Sequence, residues 1–296
     1  MLVAITGATG LIGTTLVESL LRDGHTVHRL TRSPAHPGDF AFDPARWVLD
    51  ADALTNADAV IHLAGEPIAQ RWTSAVRRRI RDSRVQGTAL LSETIAGLAA
   101  RPRVLVSGSA VGYYGDRGDE ILTERSGPGH DFLAEVCVAW EAAAEPARAA
   151  GVRVVYSRTG VVLDPGGGAL HRMLPPFRLG IGGPTGSGRQ WMSWIAVEDV
   201  VRALRHAIET PSISGPMNVV GPAPVTNREF TKTLGHVLHR PALIRTPPLA
   251  LRIMFNDMAD ATLLASQRAM PEVLKRSGFT FRCNDVESSL RAAVRM

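Results

Sequence analysis

A glycine triplet begins six residues into the chain, and it restricts the fold more than any other feature. Gly7, Gly10 and Gly13 recur at three-residue intervals between the apolar run Leu2–Thr6 and the amphipathic stretch Leu11–Arg22. In a strand-turn-helix unit the first glycine permits the tight turn and the second lets the backbone approach a pyrophosphate. The third lets helix and sheet pack closely. The helix N-terminus then aims its unpaired N–H groups at the anion. A tight turn without a ligand is the plainer alternative; the position between a strand and a helix favours the nucleotide. The contacts taken from the turn are Gly7, Thr9, Gly10, Leu11, Ile12 and Gly13.

Short Val- and Ile-rich runs at Leu2–Thr6, Thr26–Leu30, Ala59–Leu63, Val104–Ser107 and Val152–Tyr156 read as buried strands. Leu11–Arg22, Ser74–Ala99 and Asp131–Ala149 read as the amphipathic helices between them. Strand and helix alternating in this order require right-handed crossovers and a parallel sheet covered on both faces. The expected class is α/β, a doubly wound parallel sheet of the Rossmann type. Residues 164–194 are rich in glycine and proline and predict a structured loop region without regular elements, over the carboxyl edge of the sheet. A helix around residues 195–209 and a strand at Pro216–Val220 complete a nucleotide-binding domain over residues 1–220. Several short helices over 221–296 form a smaller, mainly helical C-terminal lobe.

The second strand decides which dinucleotide fits. An acid at its end would accept hydrogen bonds from a free ribose 2′-hydroxyl, whereas a basic residue accommodates a 2′-phosphate. This strand ends in Thr31, Arg32 and Ser33 with no acid nearby. Arg32 can fork onto a phosphate, so the expected cofactor is NADP(H).

Composition excludes several other classes. An apolar fraction of 45% and a charged fraction of 21% are those of a globular chain. Two cysteines, Cys137 and Cys283, make neither a disulfide framework nor a metal-ligand pattern. No apolar run reaches the roughly 20 residues of a bilayer span, and the N-terminus lacks a signal-peptide pattern; a cytoplasmic location is expected. The net charge of +5 raises nucleic acid as a partner. The densest basic run, Arg77, Arg78, Arg79 and Arg81, reads as a solvated helix face instead, so neither nucleic acid nor membrane is expected.

The stretches "TGATGLIG", "DAVIHLAG" and "VLVSGSAVGYYG" together resemble the extended short-chain dehydrogenase/reductase superfamily. "SRVQGT", "WEAAA", "RTGVVLDPGGGAL", "GSGRQWMSWIAVEDV" and "GPAPVTNREFTKTLGHVLHRPAL" resemble its epimerase-like branch, often labelled nucleoside-diphosphate-sugar epimerase, which carries its own C-terminal domain. The resemblance covers essentially the whole chain. Beyond the glycine turn it implies cofactor contacts at Thr31, Arg32, Ser33, His62, Leu63, Ala64, Gly65, Arg84, Ser107, Gly160 and Val161. For His62 the expectation is packing, with only its backbone toward the cofactor.

Two departures from the superfamily pattern bear on activity. Its reductive chemistry uses a Ser or Thr with a Tyr-x-x-x-Lys pair, in which the lysine lowers the tyrosine pKa so that the phenol can shuttle a proton. Here Phe132 or Leu133 stands at the tyrosine position and Val136 or Cys137 at the lysine, and both lysines of the chain, Lys232 and Lys275, lie far downstream. The arginine that clamps the diphosphate in sugar-nucleotide epimerases is also missing from Met192–Ala196, with Arg189 the nearest substitute. The candidate catalytic residues are therefore Ser109 and Tyr114, with Tyr113, Asp116, Glu120 and Glu124 available in the following loop. Trp191 and Trp194 read as packing residues. The expected function is an epimerase-like NADP(H) oxidoreductase acting on an unidentified small molecule; the alternative is a non-catalytic NADP(H)-responsive module. No metal is expected, and a homodimer is compatible with the sequence.

Overall fold

The apolar run at the N-terminus forms strand β1 (Leu2–Thr6), buried from Val3 onward, as a strand must be when helices cover both faces of its sheet. In the computed structural model, which describes residues 1–295, α1 (Leu11–Arg22), β2 (Thr26–Thr31), β3 (Asp39–Asp43), β4 (Val48–Leu49) and β5 (Ala59–His62) follow. Helix α2 (Ser74–Gly97) leads to β6 (Val104–Ala110), β7 (Ile121–Leu122), α3 (Phe132–Ala142), α4 (Glu145–Ala149) and β8 (Arg153–Thr159). Next come β9 (Val161–Asp164), α5 (Gly168–Arg178), β10 (Trp191–Met192), β11 (Trp194–Ala196), α6 (Val197–Glu209) and β12 (Gly215–Val219). The remainder holds β13 (Val225–Thr226), α7 (Asn227–Val237), α8 (Pro248–Phe255), a π-helical turn at Ala259–Leu263, β14 (Arg268–Ala269), α9 (Glu272–Arg276) and α10 (Val286–Arg295).

The main sheet runs β12-β8-β6-β5-β1-β2-β3-β4. Its pairings are parallel except between β3 and β4. From β1 the chain moves to β2 on one side and later returns to β5 on the other. That reversal opens a crevice beyond the carboxyl ends of β1 and β5, where a doubly wound sheet receives its ligand. One face packs Ile5, Ile61 and Val106 against Leu16 and Leu20 of α1 and Val200 and Leu204 of α6, and Leu274 and Phe281 join this core. The other face packs Val60 and Leu105 against Leu90, Leu91 and Ile95 of α2. A third cluster joins Leu163, Leu170, Leu174, Phe177 and Trp194 to Phe230, Leu234 and Leu290.

Three local expectations need correction. The helix expected over Asp131–Ala149 breaks after Ala142, because Pro146, in the first turn of α4, has no N–H for the preceding turn. Residues 164–194 are not free of regular elements: they contain α5, with Pro175 and Pro176 inside it. Leu170, Leu174 and Phe177 share one buried stripe of that helix, and their burial outweighs the lost proline donors. Strands β6 and β8 also run three residues further than expected, which places Ser109 directly opposite Arg158 in the sheet.

Candidate active site

The glycine turn separates three tasks. Gly7 has φ +71°, in the left-handed region, and a Cβ there would lie 2.8 Å from Ala64 N. A Cβ at Gly13 would stand 2.1 Å from Gly7 O, so this glycine lets α1 press against the turn. Gly10 is different: it is exposed, and its added Cβ would meet only Gly7 O at 3.3 Å. It caps α1 without any side-chain acceptor, and no acid occupies the first turn. The N–H groups there remain available to an anion, with Thr9 exposed and Leu11 and Ile12 half-buried beside them. Sequence reasoning missed one neighbour. A Cβ on Gly167 would lie 2.9 Å from Leu11 Cδ1, so the "GGG" run that opens α5 lies over the turn.

Across the crevice, Thr6 Oγ1 accepts from Leu63 N and Ala64 N, each at 3.2 Å, and lies 2.6 Å from His62 Nδ1. With both its lone pairs used, the hydroxyl donates its proton to Nδ1, so the imidazole proton sits on Nε2, a buried atom without a partner. Burial pushes the His62 pKa down to about 4, with the nearby Arg84 charge adding to the effect. The ring is neutral and its role is packing, edge-on to Phe42. Arg84 donates to Glu66 O at 3.0 Å and Ile80 O at 3.1 Å and stacks on Trp140. It holds the backbone beyond β5, and a Cβ at Gly65 would touch its guanidinium at 3.3 Å.

At the end of β2, Thr31 is half-buried and accepts from Ser33 N at 3.4 Å. Arg32 and Ser33 are exposed, and the Arg32 side chain makes neither a hydrogen bond nor an ion pair among the described residues. Ser107 is buried in β6 and donates to Gly108 O. Gly160 passes so close to β11 that a Cβ would fall 2.2 Å from Ser193 O, to which Val161 N donates at 2.7 Å.

Ser109 and Tyr114 belong to one buried network rather than to an open surface. Ser109 Oγ donates to Glu141 Oε1 at 2.7 Å, and Arg158 grips both oxygens of Glu141 at 2.8 Å. Arg158 also donates to Tyr114 Oη at 3.2 Å, and that hydroxyl donates to Asn218 Oδ1 at 2.7 Å. Burial pushes the Tyr114 phenol up to about 12, against the lowering effect of Arg158. Arg158 itself is raised by Glu141, against the effect of burial. Its guanidinium lies 3.4 Å from the centre of the Tyr113 ring. Beyond them, Glu124 Oε1 accepts from Asn218 N and Val273 N. Glu120 pairs with Arg117 at the surface. Burial, followed by the charge of Glu141, pushes the Cys137 thiol up to about 12.

A cleft of about 670 Å³ adjoins this region. Asp116 reaches it from the loop after β6, and Asp131 and Phe132 from the start of α3. Trp72 and Arg77 line it from the α2 end, Gly186, Ser187 and Gln190 from the loop before β10, and Pro248, Arg252, Asp257 and Asp260 from the C-terminal segment. Neither Ser109 nor Tyr114 is among its lining residues. The basic run of α2 is thus not uniformly solvated. Arg78, Arg79 and Arg81 are exposed, whereas Arg77 turns inward over the rings of Trp72 and Phe132. Trp194 is fully buried and Trp191 stacks with Arg268, so both pack as expected. Among the described residues no cluster of His, Cys, Asp and Glu could hold a metal ion, and no helix is long and apolar enough to cross a membrane.

Residues 3–221 match the model of the NAD dependent epimerase/dehydratase family, and residues 246–293 match a domain of unknown function, DUF1731. An epimerase family protein of Mycobacterium bovis is 47% identical over 97% of this chain and 96% of its own length. The crystal structure of human epimerase family protein SDR39U1 with NADPH superposes with a TM-score of 0.91 at 34% identity, covering 100% of both chains. A nucleoside-diphosphate sugar epimerase structure from Corynebacterium glutamicum is 41% identical with a TM-score of 0.81, covering 98% of this chain and 57% of that one.

Proposed function

The chain belongs to the NAD dependent epimerase/dehydratase family, and from that premise we propose that it is an NADP(H)-dependent oxidoreductase acting on a small molecule without the tyrosine-lysine relay. The observation that carries the cofactor choice is Arg32: exposed, without a partner, at the end of the strand beside the open turn of α1. The NADPH in the human SDR39U1 structure supports the same assignment. The pyrophosphate would lie on the N–H groups following Gly10, and the 2′-phosphate within reach of Arg32. When bound, the dinucleotide supplies or accepts a hydride at its nicotinamide ring.

The chain's own residues then divide the work. His62 and Arg84 shape the backbone beyond β5. The Ser109–Glu141–Arg158–Tyr114 network stiffens the strand ends beneath the site. The cleft between α3 and the C-terminal segment holds the substrate. Phe132, one of the two residues that stand where the family has its tyrosine, offers the cleft a ring in place of a proton donor. The cleft's volume favours this enzymatic reading over a purely cofactor-responsive module. Neither nucleic acid nor membrane enters the proposal.

Calorimetric titration tests the assignment. NADPH should bind more tightly than NADH by about 1–3 kcal/mol, the worth of a charge-assisted contact, and Arg32→Ala should abolish the difference. Equal wild-type affinities, or a preference that survives in the variant, would refute it.

A further inference from the structure

The charge balance of the cleft points to a substrate class, an inference that rests on reading the cleft as the substrate site. Four carboxylates line it, from Asp116, Asp131, Asp257 and Asp260, against the guanidinium groups of Arg77 and Arg252. Both cations are already engaged. Arg77 pairs with Asp257, and Arg252 grips Asp260 through contacts of 2.9, 3.0 and 3.1 Å.

Asp116 and Asp131 have no cationic partner among the described residues. Each uses Oδ1 to hold backbone, Asp116 for Gly118 N and Ser266 N and Asp131 for Ala134 N, while its Oδ2 accepts no hydrogen bond. Arg189, the nearest stand-in for a diphosphate clamp, is exposed and does not line the cleft. Trp72, Phe132, Pro248, Ala261 and Leu264 give the walls between these charges an apolar part, beside the uncharged polar Ser187 and Gln190.

We propose that the cleft takes a small organic cation of the iminium class, with a flat apolar body, and not a nucleoside diphosphate. Two unpaired carboxylates in one cleft favour a positive charge there and repel a diphosphate. The rings of Trp72 and Phe132 already carry the Arg77 guanidinium on their faces, an arrangement suited to cations.

The missing relay independently indicates the same class. Reducing a carbonyl leaves an oxyanion that needs a proton, and the positions that supply it in the family are Phe132 or Leu133 here. A cationic C=N group needs only a hydride. A C–H bond forms at carbon, the C=N π pair becomes the nitrogen lone pair, NADPH is oxidised to NADP⁺, and no proton donor is required.

Binding to cofactor-free protein tests the charge preference without turnover. Tryptophan fluorescence and calorimetry would compare 2-methyl-3,4-dihydroisoquinolinium, its neutral isostere α-tetralone, and UDP-glucose. The cation should bind about tenfold more tightly than α-tetralone, an advantage that shrinks as salt rises toward about 0.5 M. UDP-glucose should bind most weakly. In the double variant Asp116→Asn, Asp131→Asn, where each amide oxygen still accepts from the backbone, the cation's advantage should vanish; each single variant should lose part of it. Addition of NADPH to wild type and the iminium should oxidise the cofactor. A neutral or diphosphate probe binding at least as well as the cation would overturn the proposal, as would an advantage that survives the double variant. Separate NADPH titration keeps the two readings apart. Intact NADPH binding without cation preference sinks only this inference, whereas cation preference without NADPH binding sinks the proposed function.

Discussion

Arg158→Met should be among the most damaging single substitutions in the sheet. The Arg158 and Glu141 side chains are 4% and 11% exposed and meet in a two-pronged contact of 2.8 Å on each oxygen. Methionine would fill much of the volume but leave the Glu141 carboxylate with the Ser109 hydroxyl as its remaining side-chain donor. A buried charge stripped of its partner typically costs about 3–5 kcal/mol. For a chain of this size that lowers Tm by roughly 6–20 °C, at about 2–4 °C per kcal/mol. Removing the charge on both sides, in the pair Arg158→Met, Glu141→Gln, should recover a large share of the loss, since the desolvation cost of both ions disappears. A double-mutant cycle by urea denaturation and circular dichroism measures this, with an expected coupling of about 2 kcal/mol or more. Costs of the two single variants that simply add, or a single-variant loss under about 1 kcal/mol, would show that the pair does not act as one buried unit.

The second and third glycines of the turn should fail differently. Gly10→Val should cost the fold only modestly, through the 3.3 Å contact of its Cβ with Gly7 O and a poorer cap for α1, and abolish NADPH binding in a fluorescence titration. Gly13→Ala should destabilise the fold itself, because its Cβ would fall 2.1 Å from Gly7 O. His62 should make stability depend on pH. Its folded pKa of about 4 lies below the unfolded value of 6.5, so its contribution is full above pH 6.5 and lost as pH falls toward 4. The loss amounts to about 3 kcal/mol, and urea curves of His62→Gln across that window should show a flatter profile. UDP- and GDP-sugars incubated with the purified protein should show no epimerisation by chromatography. The Tyr-x-x-x-Lys motif, whose proton transfer would contribute about 10²–10⁴-fold, does not occur in the sequence, and brisk epimerisation would place a proton shuttle elsewhere.

Several elements were legible in the residues alone because their causes are local. The glycine spacing, the apolar run before it and the amphipathic run after it leave one arrangement of strand, turn and helix; β1 and α1 begin and end where that pattern placed them. The missing tyrosine-lysine pair was equally plain, since no lysine occurs before residue 232. Alternation of apolar and helical runs carried the sheet, because a parallel strand must be followed by a crossover. Helix α5 was not legible, since its prolines argue against a helix, and the cluster that sustains it draws on Phe230, Leu234 and Leu290, far away in the chain.

The candidate site divides along the same line. The proposed cofactor contacts of the glycine turn lie on backbone whose geometry is set by a few neighbouring residues, so spacing could nominate them, whereas those beyond it came from the family resemblance. The chemistry beyond the cofactor depends on which side chains meet across long separations. The sequence offers Ser109 and Tyr114 as reactive groups, yet Glu141, Arg158 and Asn218, brought in by α3, β8 and β12, enclose both hydroxyls. The basic run reads as a solvated face, whereas in the fold Arg77 pairs with Asp257, 180 residues away, at the cleft. Whether a charge is paired, a hydroxyl is free or a cleft is negative depends on distance in space, and only the folded chain sets those distances.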